Sequence, residues 1–314
     1  MPELFGTPDN PASDAPVAFD LRTSDDRRLR AARFFPHGKP RGTVALIQGR
    51  AEFIEKYFET VRDLLERGFA VATFDWRGQG GSERELANPR KGHVDDFTFY
   101  QRDLDAFIGQ ALERYCPRPW FALAHSMGGA ILLEHVHSGA TPFQRVIVTA
   151  PMIDIAGLPF PEAVRSLADV LDTLGLGGMF VPGGKAASLC ELPFEGNKLT
   201  SDPARFNRNA GVLRAAPQLA IGDPTIGWIN AAFRQMKRFA LPDFARRSRT
   251  PTLFVACGRD EIVSTRAGEN FAQQMQVALH TTIPGARHEI MMERDELREQ
   301  FWAALDAFLP GSGS

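Results

Sequence analysis

The sequence contains little cysteine: Cys116, Cys190 and Cys257 are the three among 314 residues, and they lie far apart. No Cys-x-x-Cys pair occurs, so the sequence predicts neither a zinc site nor a disulfide framework. His135 and His137 are two positions apart on a predicted helix and therefore face different sides, which disfavours a metal pair. We expect no metal site.

An excess of positive charge is also absent. The chain carries 36 Lys and Arg residues against 38 Asp and Glu residues, which gives a formal net charge of −2. A nucleic-acid-binding protein normally presents a basic face, and no cluster of Lys and Arg resembles a polybasic membrane anchor. We therefore expect no nucleic-acid partner.

Long apolar runs are absent as well. No stretch approaches the roughly 20 apolar residues that span a bilayer. Residues 1–15 are polar and proline-rich, without the basic start and apolar run of a signal peptide, and are predicted to be a flexible tail. Residues 311–314, Gly-Ser-Gly-Ser, are predicted to be a flexible end. We expect a cytoplasmic protein, and peripheral contact with the inner membrane face stays open.

What the sequence does contain is a regular alternation of short apolar runs and helical segments. A predicted hairpin, 17–23 with 28–35, comes first, and the later predicted strands are 43–49, 69–75, 120–125, 145–151, 252–258 and 279–283. Helical segments separate most of these strands. Strands that alternate with helices predict an α/β fold with a mostly parallel central sheet and helices on both faces.

The alternation stops near residue 152 and resumes after Pro251. Between 152 and 240 there is no convincing strand, and Asp202-Pro203 is a typical helix start. A predicted helix over 161–174 carries an apolar face formed by Val164, Leu167, Leu171 and Leu174. We predict a core of residues 16–151 and 241–310 with an inserted helical cap, 152–240. The apolar face would either pack onto the core or touch a membrane.

Ser126 lies in the sequence Ala124-His125-Ser126-Met127-Gly128, directly between a predicted strand and a predicted helix. Such a sharp turn crowds the neighbours of the serine, so small residues are needed two positions away on either side. The turn lifts the hydroxyl above the sheet, beside the positive end of the following helix. The pattern predicts Ser126 as a nucleophile.

A serine hydroxyl needs a general base that a third group orients. His288 lies in a loop after the last predicted strand, at the sheet edge where active sites of open α/β sheets form. His125 adjoins the serine and should point away from the hydroxyl, and His93 comes too early in the chain. We predict His288 as the base.

Asp260 is the candidate acid. It follows the predicted strand 252–258 and gives the chain order serine, aspartate, histidine that this fold uses. Asp154 is a rival, because the strand before it also ends at the site. Glu261 has the same chemistry and is expected to be solvated.

An oxyanion hole needs two backbone N–H groups aimed at the developing negative oxygen. We expect one from Met127, the residue after the nucleophile, and one from Arg50, in the loop after strand 43–49. The guanidinium of Arg50 either binds substrate or lies solvated at the surface, and the sequence leaves both open.

Several motifs resemble the bacterial lysophospholipases and monoacylglycerol lipases of the α/β-hydrolase superfamily, which includes serine aminopeptidase S33-like hydrolases. In the predicted core they are Gly49-Arg50-Ala51-Glu52 with Lys56-Tyr57, Asp75-Trp76-Arg77-Gly78-Gln79-Gly80-Gly81-Ser82, Lys91-Gly92-His93-Val94, and His288-Glu289 with Glu293-Arg294-Asp295. In the predicted cap, segments 197–202 and 224–228 resemble the cap of this branch.

The resemblance implies a lid over an acyl pocket and an esterase that needs no cofactor. The implied reaction cleaves a single-acyl lipid, either a lysophospholipid or a monoacylglycerol, through an acyl-serine intermediate. The implied partner is thus a small acyl ester, with membrane contact through the cap left open and the oligomeric state not predicted.

Two residues depart from the family pattern: Ala124 stands where the turn usually has glycine, and Gln48 where the oxyanion segment usually has histidine. A peptidase or a short-chain carboxylesterase would use the same three residues. A hydrolase fold without activity, serving as a binding module, is the alternative of a different class.

Overall fold

The computed structural model describes residues 2–13, 15–139 and 141–310, and the predicted flexible end 311–314 lies outside them. Its strands are β1 (Val17–Arg22), β2 (Arg28–Phe34), β3 (Thr43–Ile47), β4 (Ala70–Phe74), β5 (Trp120–His125), β6 (Arg145–Thr149), β7 (Thr252–Cys257) and β8 (Ala278–Ile283). They form one eight-stranded sheet in the order β1-β2-β4-β3-β5-β6-β7-β8.

The sheet is mostly parallel. The hairpin strand β1 pairs antiparallel with β2, and β2 pairs antiparallel with β4, whereas every other neighbouring pair is parallel. Strands β3, β4, β5 and β7 are buried at every residue, as expected for a sheet covered on both faces. The predicted fold class is confirmed.

The main helices are α1 (Phe58–Glu66), α2 (Thr98–Phe107), α3 (Ser126–His137), α4 (Pro161–Leu171), α5 (Pro203–Ala215), α6 (Ile226–Phe239), α7 (Thr265–Gln274) and α8 (Asp295–Phe308). Helix α5 starts where the sequence indicates: the Asp202 side chain accepts hydrogen bonds from the backbone N–H groups of Ala204 and Arg205, and Pro203 is the first helical residue. Helix α7 ends at Gln274, and β8 begins at Ala278.

We call residues 152–240, which lie between β6 and β7, the inserted segment. Its described residues form α4, α5 and α6 without a named strand. Helix α6 is largely buried, whereas Ala168 is the one buried residue of α4. The apolar face predicted for 161–174 is therefore divided: Val164 packs against the core, but Leu167 of α4 and Leu174 in the helical turn after it are 53% and 68% exposed.

No helix in the described part of the chain is both long and apolar enough to cross a membrane. All three cysteines are buried and unpaired.

Candidate active site

Ser126 lies at the point where β5 gives way to α3, in a left-handed backbone conformation with φ of +51°. This conformation is strained for a residue with a side chain, so the surrounding structure must hold it. Gly128 permits the close approach of the oxyanion loop, because a Cβ atom there would lie 2.3 Å from the carbonyl oxygen of Gln48. Ala124 is fully buried at the end of β5, so the sheet accommodates its methyl group.

The structure brings Ser126, His288 and Asp260 together from three loops at the carboxyl ends of β5, β8 and β7. The Nε2 atom of His288 lies 3.0 Å from Ser126 Oγ, and its Nδ1 atom lies 2.8 Å from Asp260 Oδ2. Because a carboxylate only accepts hydrogen bonds, Nδ1 carries the proton and Nε2 is free to accept from the serine hydroxyl. The arrangement can move a proton from serine to histidine.

Asp260 is held as an ionised, oriented carboxylate. Its Oδ1 atom accepts hydrogen bonds from the backbone N–H groups of Ile262 and Val263, at 2.8 and 3.0 Å. Burial alone would raise its pKa, but the hydrogen bond from His288 and these backbone N–H groups outweigh burial and lower the pKa.

The rival acids lie in other contacts. Asp154 pairs with Arg165 of the inserted segment at 3.1 Å, and Glu261 pairs with Lys198 at 3.2 Å while staying 62% exposed. The geometry therefore favours Asp260 as the partner of the histidine.

His125 packs against His288. It is buried, and its ring centre lies 4.8 Å from that of His288. Its Nδ1 atom is 3.0 Å from Thr149 Oγ1. Burial lowers the pKa of His125 to about 4, so it is a neutral packing partner for His288 at pH 7.

The loop after β3 is tied down on both sides of Arg50. The backbone N–H of Gly49 donates to the Glu52 carboxylate, and that of Ala51 donates to Gln79 Oε1 at 3.2 Å. Within the described residues, the Arg50 N–H between them has no protein acceptor. Met127 lies in the first turn of α3, where N–H groups lack intrahelical acceptors. Both N–H groups are thus available to an oxyanion.

Gln48, the departure from the family pattern, anchors this loop. Its Nε2 atom donates to Asp75 Oδ1 at 3.2 Å, and its carbonyl oxygen accepts from Trp76 Nε1 at 2.9 Å. Gln79 adds a bond from its Nε2 atom to the carbonyl oxygen of Gly49, at 2.8 Å. The Asp75–Ser82 motif therefore holds the oxyanion loop, a role that the motif alone did not indicate.

A buried charge cluster joins this loop to the loop that carries His288. Lys56 Nζ lies 2.9 Å from Glu52 Oε1 and 2.6 Å from Glu289 Oε1, and the Tyr57 hydroxyl donates to Glu52 at 2.7 Å. Burial alone would lower the pKa of Lys56, but the two carboxylates raise it; burial raises the pKa of Glu289. The i,i+4 spacing of Glu52 and Lys56 indicates their contact, whereas Glu289 lies 233 positions further on.

A cavity of about 230 Å³ opens onto Ser126 and His288. Much of its wall is apolar and comes from the inserted segment and the loop after β7, with Met152, Ile155, Leu189, Leu199, Ile221, Trp228, Ile229, Ile262 and Val263. Arg50, Glu52 and Glu289 also line it. No group of three or more His, Cys, Asp and Glu side chains able to hold a metal ion occurs in the described ranges.

A serine on a strand–turn–helix, facing a histidine and an aspartate above a mostly parallel sheet, defines the class as an α/β-hydrolase. The profile of the family described as serine aminopeptidase, S33, matches residues 38–295. The chain belongs to this family of serine hydrolases, and the resemblance indicated by its motifs is confirmed.

Curated relatives point to the same branch. Lysophospholipase L2 of Escherichia coli K12 is 33% identical over 289 residues, which cover 87% of this chain and 82% of that protein. Monoglyceride lipase of Rattus norvegicus is 27% identical over 246 residues, covering 77% and 76% of the two chains. Among solved structures, a soluble variant of monoglyceride lipase from Saccharomyces cerevisiae in complex with a substrate analog superposes with a TM-score of 0.76 at 20% identity, covering 96% of this chain and 97% of that one.

Proposed function

We propose that this protein hydrolyses the carboxylic ester of a single-acyl lipid, a lysophospholipid or a monoacylglycerol, through an acyl-serine intermediate. The observation that carries the proposal is the mostly apolar cavity that ends at Ser126 and His288. Such a cavity takes an aliphatic chain out of water and leaves the ester at the nucleophile. Relatives named lysophospholipase and monoglyceride lipase support the same substrate class.

In the proposed reaction, Ser126 Oγ attacks the ester carbonyl carbon while His288 Nε2 takes the hydroxyl proton. Asp260 stabilises the resulting imidazolium and keeps the ring oriented. The backbone N–H groups of Arg50 and Met127 bind the oxyanion. His288 then protonates the leaving alcohol, and a water molecule, deprotonated by the same nitrogen, releases the fatty acid from Ser126.

We infer that the inserted segment, 152–240, acts as the lid of this cavity, since it supplies much of the apolar wall. Its outer surface carries a further feature, which we call the outer face: the exposed apolar side chains before, along and after α4, namely Phe160, Leu167, Val170, Leu174 and Met179. Exposed apolar patches of this kind mark interaction sites. We propose that this face contacts the lipid surface from which the substrate is taken.

The test is a panel of p-nitrophenyl esters with acetyl, octanoyl and palmitoyl chains, alongside an aminoacyl p-nitroanilide. Each buried methylene contributes about 0.8 kcal/mol, so kcat/KM for octanoyl should exceed that for acetyl by at least about tenfold. Ser126→Ala, the matched control, should lose at least about 10³-fold in kcat. A preference for acetyl, or for the aminoacyl amide, would instead support a short-chain esterase or a peptidase.

A further inference from the structure

Arg50 is a cation in the cavity wall without a carboxylate partner among the described residues. Its Nη2 atom donates to the carbonyl oxygen of Gly222 at 2.9 Å, and its guanidinium carbon lies 4.9 Å from the ring centre of Trp228. Its Nε atom is buried and has no hydrogen-bond partner. Burial lowers the pKa of Arg50 to about 10, so the group still carries its charge at pH 7.

Arginines that are fully buried in the core have carboxylate partners, whereas Arg50 lies half-buried in the cavity wall. Arg30 pairs with Glu55 at 2.7 Å and with Asp75 at 2.6 Å. Arg77 pairs with Asp25 at 2.8 Å and with Asp103 at 2.6 Å. Buried charges are normally paired in this way, because an unpaired charge loses hydration without compensation. Arg298, the third buried arginine, pairs with Glu59 and Asp63. Arg50 therefore lacks the carboxylate partners that these three arginines have.

Acidic groups near Arg50 are already engaged. Asp223, which lines the same cavity, acts on the pKa of Arg50 through its charge, but it accepts the backbone N–H of Lys185 at 2.8 Å and forms no ion pair with Arg50. Glu52 and Glu289 share Lys56. We therefore expect the anion that pairs with the guanidinium of Arg50 to come from a ligand bound in the cavity.

We propose that the guanidinium of Arg50 binds the phosphate of a lysophospholipid head group and so selects phosphate-bearing single-acyl lipids over neutral monoacylglycerols. The inference rests on the proposed function. Arg50 and Ser126 line one cavity, and in a lysophospholipid the phosphate belongs to the alcohol that leaves when the ester at Ser126 is cleaved. A guanidinium fork matches phosphate oxygens through two parallel N–H bonds, which a lysine cannot reproduce.

A matched substrate pair tests this selection: 1-oleoyl lysophosphatidylcholine and 1-oleoylglycerol, which share the acyl chain and the ester and are presented in the same nonionic mixed micelles. Because charge-assisted hydrogen bonds are strong, we expect Arg50→Gln to lower kcat/KM at least about tenfold more for 1-oleoyl lysophosphatidylcholine than for 1-oleoylglycerol. Arg50→Lys, which keeps the charge, should recover part of that difference. The backbone N–H of residue 50 is retained in both variants.

Arg50 also connects the oxyanion loop to the inserted segment through Gly222, and a purely structural role would lower both rates by the same factor. Equal losses would therefore overturn the inference and leave the proposed function standing. A wild-type enzyme that cleaves only 1-oleoylglycerol would do the same. Hydrolysis of neither lipid would overturn both.

Inhibition of p-nitrophenyl octanoate hydrolysis distinguishes binding of a lipid head group from binding of free phosphate. Glycerophosphocholine should inhibit the wild-type enzyme more strongly than glycerol or inorganic phosphate does, and this preference should be lost in Arg50→Gln. Stronger inhibition by inorganic phosphate would overturn the head-group assignment.

Discussion

The sheet core and the inserted segment present their apolar residues in opposite ways. Strands β3, β4, β5 and β7 bury every residue, and Ser126 and Asp260 directly follow two of them. Helix α4 of the inserted segment buries Ala168 and exposes Leu167 and Val170, and Leu174 in the helical turn after it is also exposed. The core is thus fixed by packing on both faces of the sheet, whereas α4 is amphipathic and its outer face has no partner among the described residues.

This difference in packing matches two different tasks, catalysis in the core and selection of the lipid in the inserted segment. Reacting groups must be held to fractions of an ångström, which a closely packed core achieves. Choosing and admitting a lipid requires an apolar wall and an outer face that tolerates both water and lipid. Changes in the core should therefore alter turnover of every substrate, and changes in the inserted segment should alter selection and interface contact.

The largest effect is expected from Asp260→Asn. Loss of the carboxylate leaves the wrong tautomer of His288 in front of Ser126, as in other serine hydrolases, and kcat should fall by about 10⁴-fold. Asp154→Asn is the matched control and should retain most of its activity, because Asp154 contacts Arg165 instead. Steady-state kinetics with p-nitrophenyl octanoate give both values; the reverse ranking would assign the acid to Asp154.

A large effect on stability is expected from Lys56→Met. The change leaves the carboxylates of Glu52 and Glu289 buried without their shared cation, which should lower the free energy of unfolding by about 3–5 kcal/mol. The control is Lys198→Met, whose pair with Glu261 is more than half exposed and should contribute no more than about 0.5 kcal/mol. Urea denaturation measures both, and equal losses would show that burial of the cluster adds nothing.

A pH-dependent effect is expected where the two regions join. Glu59 of α1 accepts hydrogen bonds from Arg205 and Arg208 of α5, and these two arginines together with Arg298 of α8 outweigh burial and lower its pKa to about 2. A carboxylate whose pKa is depressed by folding stabilises above its unfolded value, about 4.3, and this contribution is lost as the pH falls toward 2.

The melting temperature of Glu59→Gln should therefore lie below that of the wild type at pH 7, and the gap should narrow steadily from about pH 5 downward. Thermal melts of both proteins between pH 7 and pH 3 measure the gap. A gap that stays constant over this range would show that ionisation of Glu59 does not hold the inserted segment to the core.

The smallest effect is expected at Leu174, in the helical turn that follows α4. Leu174→Ser should leave the free energy of unfolding within about 0.5 kcal/mol of the wild type, since the side chain is 68% exposed. Binding of the Leu174→Ser variant to phosphatidylcholine vesicles should be roughly threefold to tenfold weaker than that of the wild type, because part of the transfer free energy of a leucine is lost. Leu279→Ser on β8, where the leucine is 60% exposed, is the control and should not alter vesicle binding in a flotation assay.

Much of the core could be predicted from the sequence, because the alternation of strands and helices determines which strand ends meet at one edge of the sheet. Ser126, Asp260 and His288 follow three different strands, and the structure brings them together as that rule implies. The exposure of Leu167 was not accessible, since helical spacing shows that residues share a face but not what covers it. The contact of Lys56 with Glu289 depends on tertiary packing over 233 positions and leaves no local signal.

Labelling with a fluorophosphonate, followed by peptide mass spectrometry, tests most directly whether Ser126 is the nucleophile. We expect one adduct per chain, on the peptide that contains Ser126, and no adduct in Ser126→Ala. Stoichiometric labelling that persists in Ser126→Ala, or an adduct on another residue of the wild type, would contradict it.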